Sequence, residues 1–169
     1  MKTVKMIALA AFVAFGFTQM NAQNADAKIT KTKIVEASAD KVWNELRKLD
    51  NIDEISSFVG KVEFTGPKGA GGSRVCTAPD GKGKFKENIL AFDDATRSYT
   101  YAVVEGVPAA GMVSNFKVVD LGYNKSMIVW TSTYEKFMQN PQMTEEQFNG
   151  FLNQASGEMM NNVAIMASK

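Results

Sequence analysis

The spacing of apolar side chains predicts a strand and then two short helices between residues 29 and 56. Residues 29–36 form a threonine-rich segment that is typical of a β-strand. Ser38 follows and is suited to cap a helix, because its hydroxyl can accept a hydrogen bond from a backbone N–H of the first turn. Apolar residues then recur at helical spacing at Val42, Leu46 and Leu49. Residues 50–56 predict a second, shorter helical turn.

From Phe58 onward the apolar period changes to two, which predicts six further strands. They cover residues 59–64, 73–77, 84–92, 98–104, 112–121 and 126–136. The breaks between these segments carry residues favoured in turns, such as Gly66-Pro67 and Asp93-Asp94. Because connections this short join neighbouring strands as hairpins, we expect an antiparallel sheet.

A long helix is predicted at the C-terminal end of the chain. Thr144 follows Pro141 and precedes two glutamates, which favour the positive end of a helix dipole. The predicted fold class is α+β, a curved antiparallel sheet of about seven strands around this helix, with two short helices after the first strand. Gly157 is a residue of low helix propensity within this helix. The apolar stripe of the helix runs through Phe148, Leu152, Ala155, Met159, Val163 and Met166.

The first residues have the pattern of a signal peptide. Lys2 and Lys5 precede the unbroken apolar run of residues 6–17, which is too short to span a bilayer as a helix of about 20 residues. Cleavage after Ala22 or after Ala27 follows the small-residue rule. A buried N-terminal helix is the alternative, although the segment has no polar face. We therefore expect residues 1–22 to be a signal peptide and the protein to be exported, periplasmic or secreted, without stable membrane insertion.

Composition excludes several classes of function. The chain has 169 residues, with 19 Lys and Arg against 18 Asp and Glu, so it lacks the positive field that recruits nucleic acid. It contains no histidine, which removes the Ser-His-Asp and Cys-His schemes and every His-ligated metal site. The single cysteine, Cys76, cannot form an intrachain disulfide. No phosphate loop or nucleotide motif occurs, so we expect no metal and no cofactor.

Several short segments occur together in an order and spacing typical of a known superfamily. The resemblance is to the START-like, or SRPBCC, superfamily, in its polyketide-cyclase/dehydrase and lipid-transport branch, as an exported bacterial member. It implies a helix-grip fold over residues 28–169, a single domain with a deep cavity between sheet and C-terminal helix. The segments that carry it are IVEASADKVW at 34–43, GSRVC at 72–76, GKFKENILAFD at 83–93, RSYTY at 97–101 and MIVWTSTY at 127–134.

The alternation of each strand indicates which side chains face that cavity. Phe85, Glu87, Ile89 and Ala91 share one face, and the apolar members carry Glu87 inward with them. The same phase applied to the other strands, with the helix stripe, predicts an aromatic and aliphatic wall with a few polar groups. The candidate ligand-binding residues are Arg74, Phe85, Glu87, Tyr99, Tyr101, Phe116, Trp130, Tyr134, Phe148 and Leu152.

Arg74 and Glu87 are the polar pair in this set. They lie on consecutive predicted strands, and an inward carboxylate needs a partner because an unpaired buried charge is costly. The pair can hold a polar group of a ligand, or it can be a structural ion pair. Both interpretations stay open at the level of sequence.

Three functions are compatible with these residues. The first is a carrier that binds a small hydrophobic molecule, such as a lipid, a sterol-like or an aromatic or polyketide compound. The second is a cyclase or dehydratase with Glu87 as general base and a tyrosine as acid. The third is a closed core that works through a partner surface, which the four methionines from Met143 onward leave open. The sequence indicates no particular protein partner.

Overall fold

The computed structural model describes residues 29–169. Seven strands form one curved antiparallel sheet. The order across this sheet is β1-β8-β7-β5-β4-β3-β2, and a separate two-stranded sheet pairs β6 with β9. The predicted signal peptide lies outside the described residues. The strands are β1 Ile29–Val35, β2 Lys61–Thr65, β3 Ser73–Thr77, β4 Lys84–Asp93, β5 Ser98–Glu105, β6 Ala109–Ala110, β7 Met112–Gly122, β8 Lys125–Thr133 and β9 Lys136–Phe137.

The first and the last of the three helices begin at the predicted caps, Ser38 and Thr144. They are α1 Ala39–Leu46, α2 Ile52–Ile55 and α3 Glu145–Ala167. The Ser38 hydroxyl accepts from the backbone N–H of Lys41, and Thr144 forms a reciprocal capping box with Gln147. The predicted helix-grip arrangement is therefore confirmed. Within the described part of the chain, none of the helices is long and apolar enough to cross a bilayer.

Helix α3 lies along the concave face of the sheet, and hydrogen bonds at its middle and in its C-terminal part fasten it. Lys31 of β1 donates to the carbonyl of Asn153, and the Asn162 amide donates to the carbonyl of Ile55 at 3.0 Å. Glu158 accepts from the backbone N–H of Ser57 at 2.6 Å. These bonds fix α3 against β1 and α2. The residues of α3 that face the open part of the concave surface lie between Phe148 and Met159.

Two details of the strands differ from the sequence expectation. The last predicted strand ends at Thr133, because the chain turns there and Lys136–Phe137 pairs instead with Ala109–Ala110. Ala91, expected to face inward, is exposed. A register shift between Ile89 and Ala91 inserts one extra residue into β4, and such a bulge reverses the alternation beyond it.

Candidate functional site

A cavity of about 570 Å³ lies between the concave face of the sheet and α3. The sheet supplies its floor and the helix its roof, while the loop after α2 and the β3–β4 hairpin lie at its edges. Most of the wall is apolar. Six large side chains illustrate this composition, namely Val103, Met112 and Trp130 from the sheet and Phe148, Phe151 and Leu152 from the helix.

The structure brings most of the candidate residues together around this cavity. Their inward position follows from the strand alternation and from the helix stripe, as the sequence indicated. The candidates that line the cavity are Arg74, Phe85, Glu87, Tyr101, Trp130, Phe148 and Leu152.

Three candidates lie elsewhere. Tyr99 and Phe116 are buried with ring centroids 5.6 Å apart, and the indole of Trp43 packs 6.3 Å from the Tyr99 ring. Helix α1 therefore covers that part of the sheet and separates both rings from the cavity. The hydroxyl of Tyr134 lies within hydrogen-bond distance of Glu145 and Asn149 at the start of α3, so this side chain fastens the helix rather than lining the cavity.

The polar group of the cavity is an ion pair between Arg74 and Glu87, which face each other across β3 and β4. Arg74 Nε donates to Glu87 Oε2, and Arg74 Nη1 donates to the carbonyl oxygen of Leu49 at 2.7 Å. The two side chains are only 2% and 7% exposed. Leu49 has a φ of +65°, a conformation that L residues rarely adopt, and the guanidinium satisfies its carbonyl there. The pair thus joins the sheet to the link between α1 and α2.

Burial and charge act in opposite directions on Arg74. Burial by itself lowers the pKa of this guanidinium, but the adjacent Glu87 carboxylate raises that pKa above its ordinary value, so Arg74 stays charged. The tyrosine rings of Tyr99 and Tyr101 lie 5.9 and 5.2 Å from the guanidinium carbon, close enough for a cation–π contribution.

The nearby tyrosine hydroxyls hold their protons tightly. Burial raises the pKa of Tyr99 to about 12. Burial, and then the charge of Glu87, raises the pKa of Tyr101 above its usual range. Trp130 Nε1 donates to the Tyr101 hydroxyl oxygen at 3.1 Å, which fixes the position of that oxygen. Both tyrosines are therefore neutral hydrogen-bond donors at physiological pH and poor sources of a transferred proton.

Sequence reasoning missed an aromatic pair at the edge of the cavity. Phe58, in the loop after α2, meets Phe151 of α3 edge to face with ring centroids 5.1 Å apart. Phe151 follows Phe148 by three residues, so the helical period contained a signal for it. Phe58 stands in an irregular segment, where no period indicates the direction of a side chain.

Two other side chains that the sequence singled out belong to the core. Trp43 is buried in α1, and its indole N–H donates to Asp94 at 2.7 Å. Cys76 is buried next to the ion pair, and burial raises the pKa of its thiol to about 12. A thiol with so high a pKa is protonated at neutral pH and is a weak nucleophile.

A family model described as polyketide cyclase/dehydrase and lipid transport matches residues 26–163. The chain belongs to this family. It is thereby a member of the SRPBCC, or START-like, superfamily, which confirms the resemblance inferred from the sequence. Family membership supports a ligand-binding or cyclase role for the cavity.

Solved structures of the same fold come from distant relatives. Zhui aromatase/cyclase from a Streptomyces species is 20% identical, with a TM-score of 0.71 over 83% of this chain and 92% of that one. The protein XoxI from Bacillus cereus is 17% identical, with a TM-score of 0.70 over 80% and 92%. Norcoclaurine synthase from Thalictrum flavum, solved with dopamine and hydroxybenzaldehyde, is 19% identical, with a TM-score of 0.66 over 82% and 84%.

These similarities are informative about the fold alone, because at such identities the residues that contact ligands are free to differ. No curated protein sequence is similar enough to this chain to count as a match. The function therefore has to be argued from the cavity of this chain.

The ion pair leads to a prediction about stability. Glu87→Gln leaves the buried Arg74 charge without a counter-charge, so we expect the free energy of unfolding to fall by about 3–5 kcal/mol. Urea unfolding followed by circular dichroism measures this loss. Glu63→Gln is the matched control, because Glu63 pairs with Lys61 at the surface and its loss should change little. If the Glu87 variant unfolds at the same urea concentration as the unaltered protein, the ion pair between Arg74 and Glu87 does not stabilise the fold.

Proposed function

We propose that this protein carries or sequesters one small hydrophobic molecule in the cavity between the sheet and α3, without changing it chemically. The observation that carries the proposal is the cavity, about 570 Å³ of space with a mostly apolar wall. That volume is within the range of pockets for small ligands, about 300–1,000 Å³. A lipid, a sterol-like compound or an aromatic or polyketide compound is the corresponding class of ligand.

The composition of the wall supports binding over a closed core. Large apolar side chains of the sheet and of α3 line the space, and α3 adds the small residues Ala155 and Ser156. A core that serves only stability is packed to a density that leaves few voids larger than a water molecule. A space of this size, kept open by small residues beneath a well-formed helix, is typical of a site that is filled by another molecule.

A cavity-filling substitution tests the proposal. Ala155→Trp places an indole inside the cavity, so we expect the affinity for the fluorescent hydrophobic probe N-phenylnaphthylamine to fall by roughly tenfold or more. Fluorescence titration measures this affinity, and circular dichroism verifies that the variant is folded.

Ala91→Trp is the matched control. It makes the same change on the exposed side of β4, outside the cavity, and should leave probe affinity as it is. Equal affinities of both variants and the unaltered protein would place the probe elsewhere and contradict the proposed binding site.

The alternative function is a cyclase or dehydratase with Glu87 as base, and the aromatase/cyclase among the solved structures of this fold is its support. Two features favour the carrier. One oxygen of Glu87 is held by Arg74, and the nearest tyrosine acids have raised pKa values. On our proposal, purified protein does not accelerate the cyclisation and dehydration of a synthetic poly-β-ketone above a protein-free control, as measured by chromatography. Acceleration that scales with protein concentration would establish the alternative.

We further propose that the protein is exported, with the residues before the domain as its signal peptide. The charged start followed by the apolar run of residues 6–17 supports this proposal. Protein recovered from outside the cytoplasm is expected to begin at Gln23, or at Lys28 if the later site is cleaved, when its N-terminal sequence is determined. If the protein is recovered only from the cytoplasm, with its N-terminal sequence starting at Met1 or at Lys2, export is contradicted.

A further inference from the structure

The ion pair and its neighbour leave an acceptor on Glu87 and a donor on Tyr101 unused beside the cavity. Arg74 occupies Glu87 Oε2, while Glu87 Oε1 accepts no hydrogen bond from any residue in 29–169. The Tyr101 oxygen already accepts from Trp130, so its own O–H hydrogen remains to be donated, and no acceptor for it occurs among the described residues. Glu87 and Tyr101 both line the cavity.

These two groups come from neighbouring strands and lie close together. In the β4–β5 ladder, Glu87 is opposite Val103 and Ile89 is opposite Tyr101, so Glu87 and Tyr101 are diagonal neighbours on one face. Side chains at such diagonal positions are within reach of a common partner. It costs free energy to leave a buried acceptor or a buried donor without a hydrogen-bond partner. A ligand group that bonds to both therefore gains binding free energy there.

The charges around the cavity balance. Among its lining residues in the described part of the chain, Arg74 and Lys84 are positive, whereas Glu87 and Asp80 are negative. Lys84 and Asp80 are exposed on the β3–β4 hairpin, while Arg74 and Glu87 are buried and paired. The buried part therefore has no net charge to compensate an ionic ligand. An ion that bound there would lose its hydration and gain no counter-charge in exchange.

We propose that the cavity selects an uncharged hydrophobic molecule through a hydroxyl group, which donates to Glu87 Oε1 and accepts from the Tyr101 O–H. A hydroxyl is the simplest neutral group that both donates and accepts. A carboxylate only accepts and an ammonium only donates, so each of them can satisfy only one of the two groups. The inference rests on the proposed function and narrows its ligand to alcohols and phenols.

Three molecules that differ only in their end group test this selectivity. Dodecanol, dodecanoate and dodecylammonium are titrated at neutral pH, below their aggregation concentrations, against protein loaded with N-phenylnaphthylamine. We expect dodecanol to displace the probe at a concentration roughly tenfold lower than either ion, because only the ions must be desolvated without a counter-charge. Equal displacement by all three would overturn the hydroxyl inference while the proposed carrier function stands. Failure of the probe and of all three molecules to bind would overturn both.

Variants identify the groups responsible. Tyr101→Phe removes the donor, so the affinity for dodecanol should fall about fivefold, as expected for one lost hydrogen bond. Tyr123→Phe makes the same change on a fully exposed tyrosine and should have no effect. An unchanged dodecanol affinity in the Tyr101 variant would contradict the assignment.

Glu87→Gln should reverse the preference, since Arg74 then lacks a counter-charge and a carboxylate can supply it. In this variant, dodecanoate is expected to raise the unfolding temperature more than dodecanol does, which thermal unfolding measures. A preference for dodecanol that persists in the folded variant would contradict the role of Glu87. If the variant does not fold, the comparison of the three end groups and the Tyr101 pair of variants decide the inference.

Discussion

The buried guanidinium of Arg74 is the interaction on which the local structure around the cavity depends. A charge so far from water is stable only where it is compensated, and the chain supplies a carboxylate, a backbone carbonyl and two aromatic faces. The carboxylate is that of Glu87, opposite it on the next strand, and the carbonyl is that of Leu49 between α1 and α2. One side chain therefore holds two strands and the helical link in a single arrangement, and places the polar part of the cavity where they meet.

The cavity itself follows from the way the sheet curves around α3. The helix is bonded to β1 near its middle and to α2 in its C-terminal part, where buried residues such as Met160 and Val163 pack. Near its middle the helix presents the small residues Ala155 and Ser156 to the cavity. A volume that the chain does not fill remains between this part of the helix and the sheet. Packing against one part of the sheet thus leaves room for a ligand at another.

Distant proteins of this fold share its frame at 17–20% identity, and two of those compared are named as enzymes, an aromatase/cyclase and a norcoclaurine synthase. The frame sets where a cavity lies, whereas the charges and hydroxyls inside it set what the cavity can do. In this chain the ionisable groups compensate one another and the tyrosine protons are tightly held. On our proposal, such a cavity recognises a neutral group and does not move a proton.

The sequence by itself determined the order of strands and helices, because alternation, helical spacing and the caps at Ser38 and Thr144 are local properties of the chain. It also predicted that Arg74 and Glu87 meet, since both point inward from consecutive strands. The tertiary structure alone decided that Tyr99 and Phe116 lie under α1 rather than at the cavity. Alternation defines the face of a sheet on which a side chain lies, but not which part of that face a helix covers. That depends on contacts between residues far apart in the chain, which no local pattern contains.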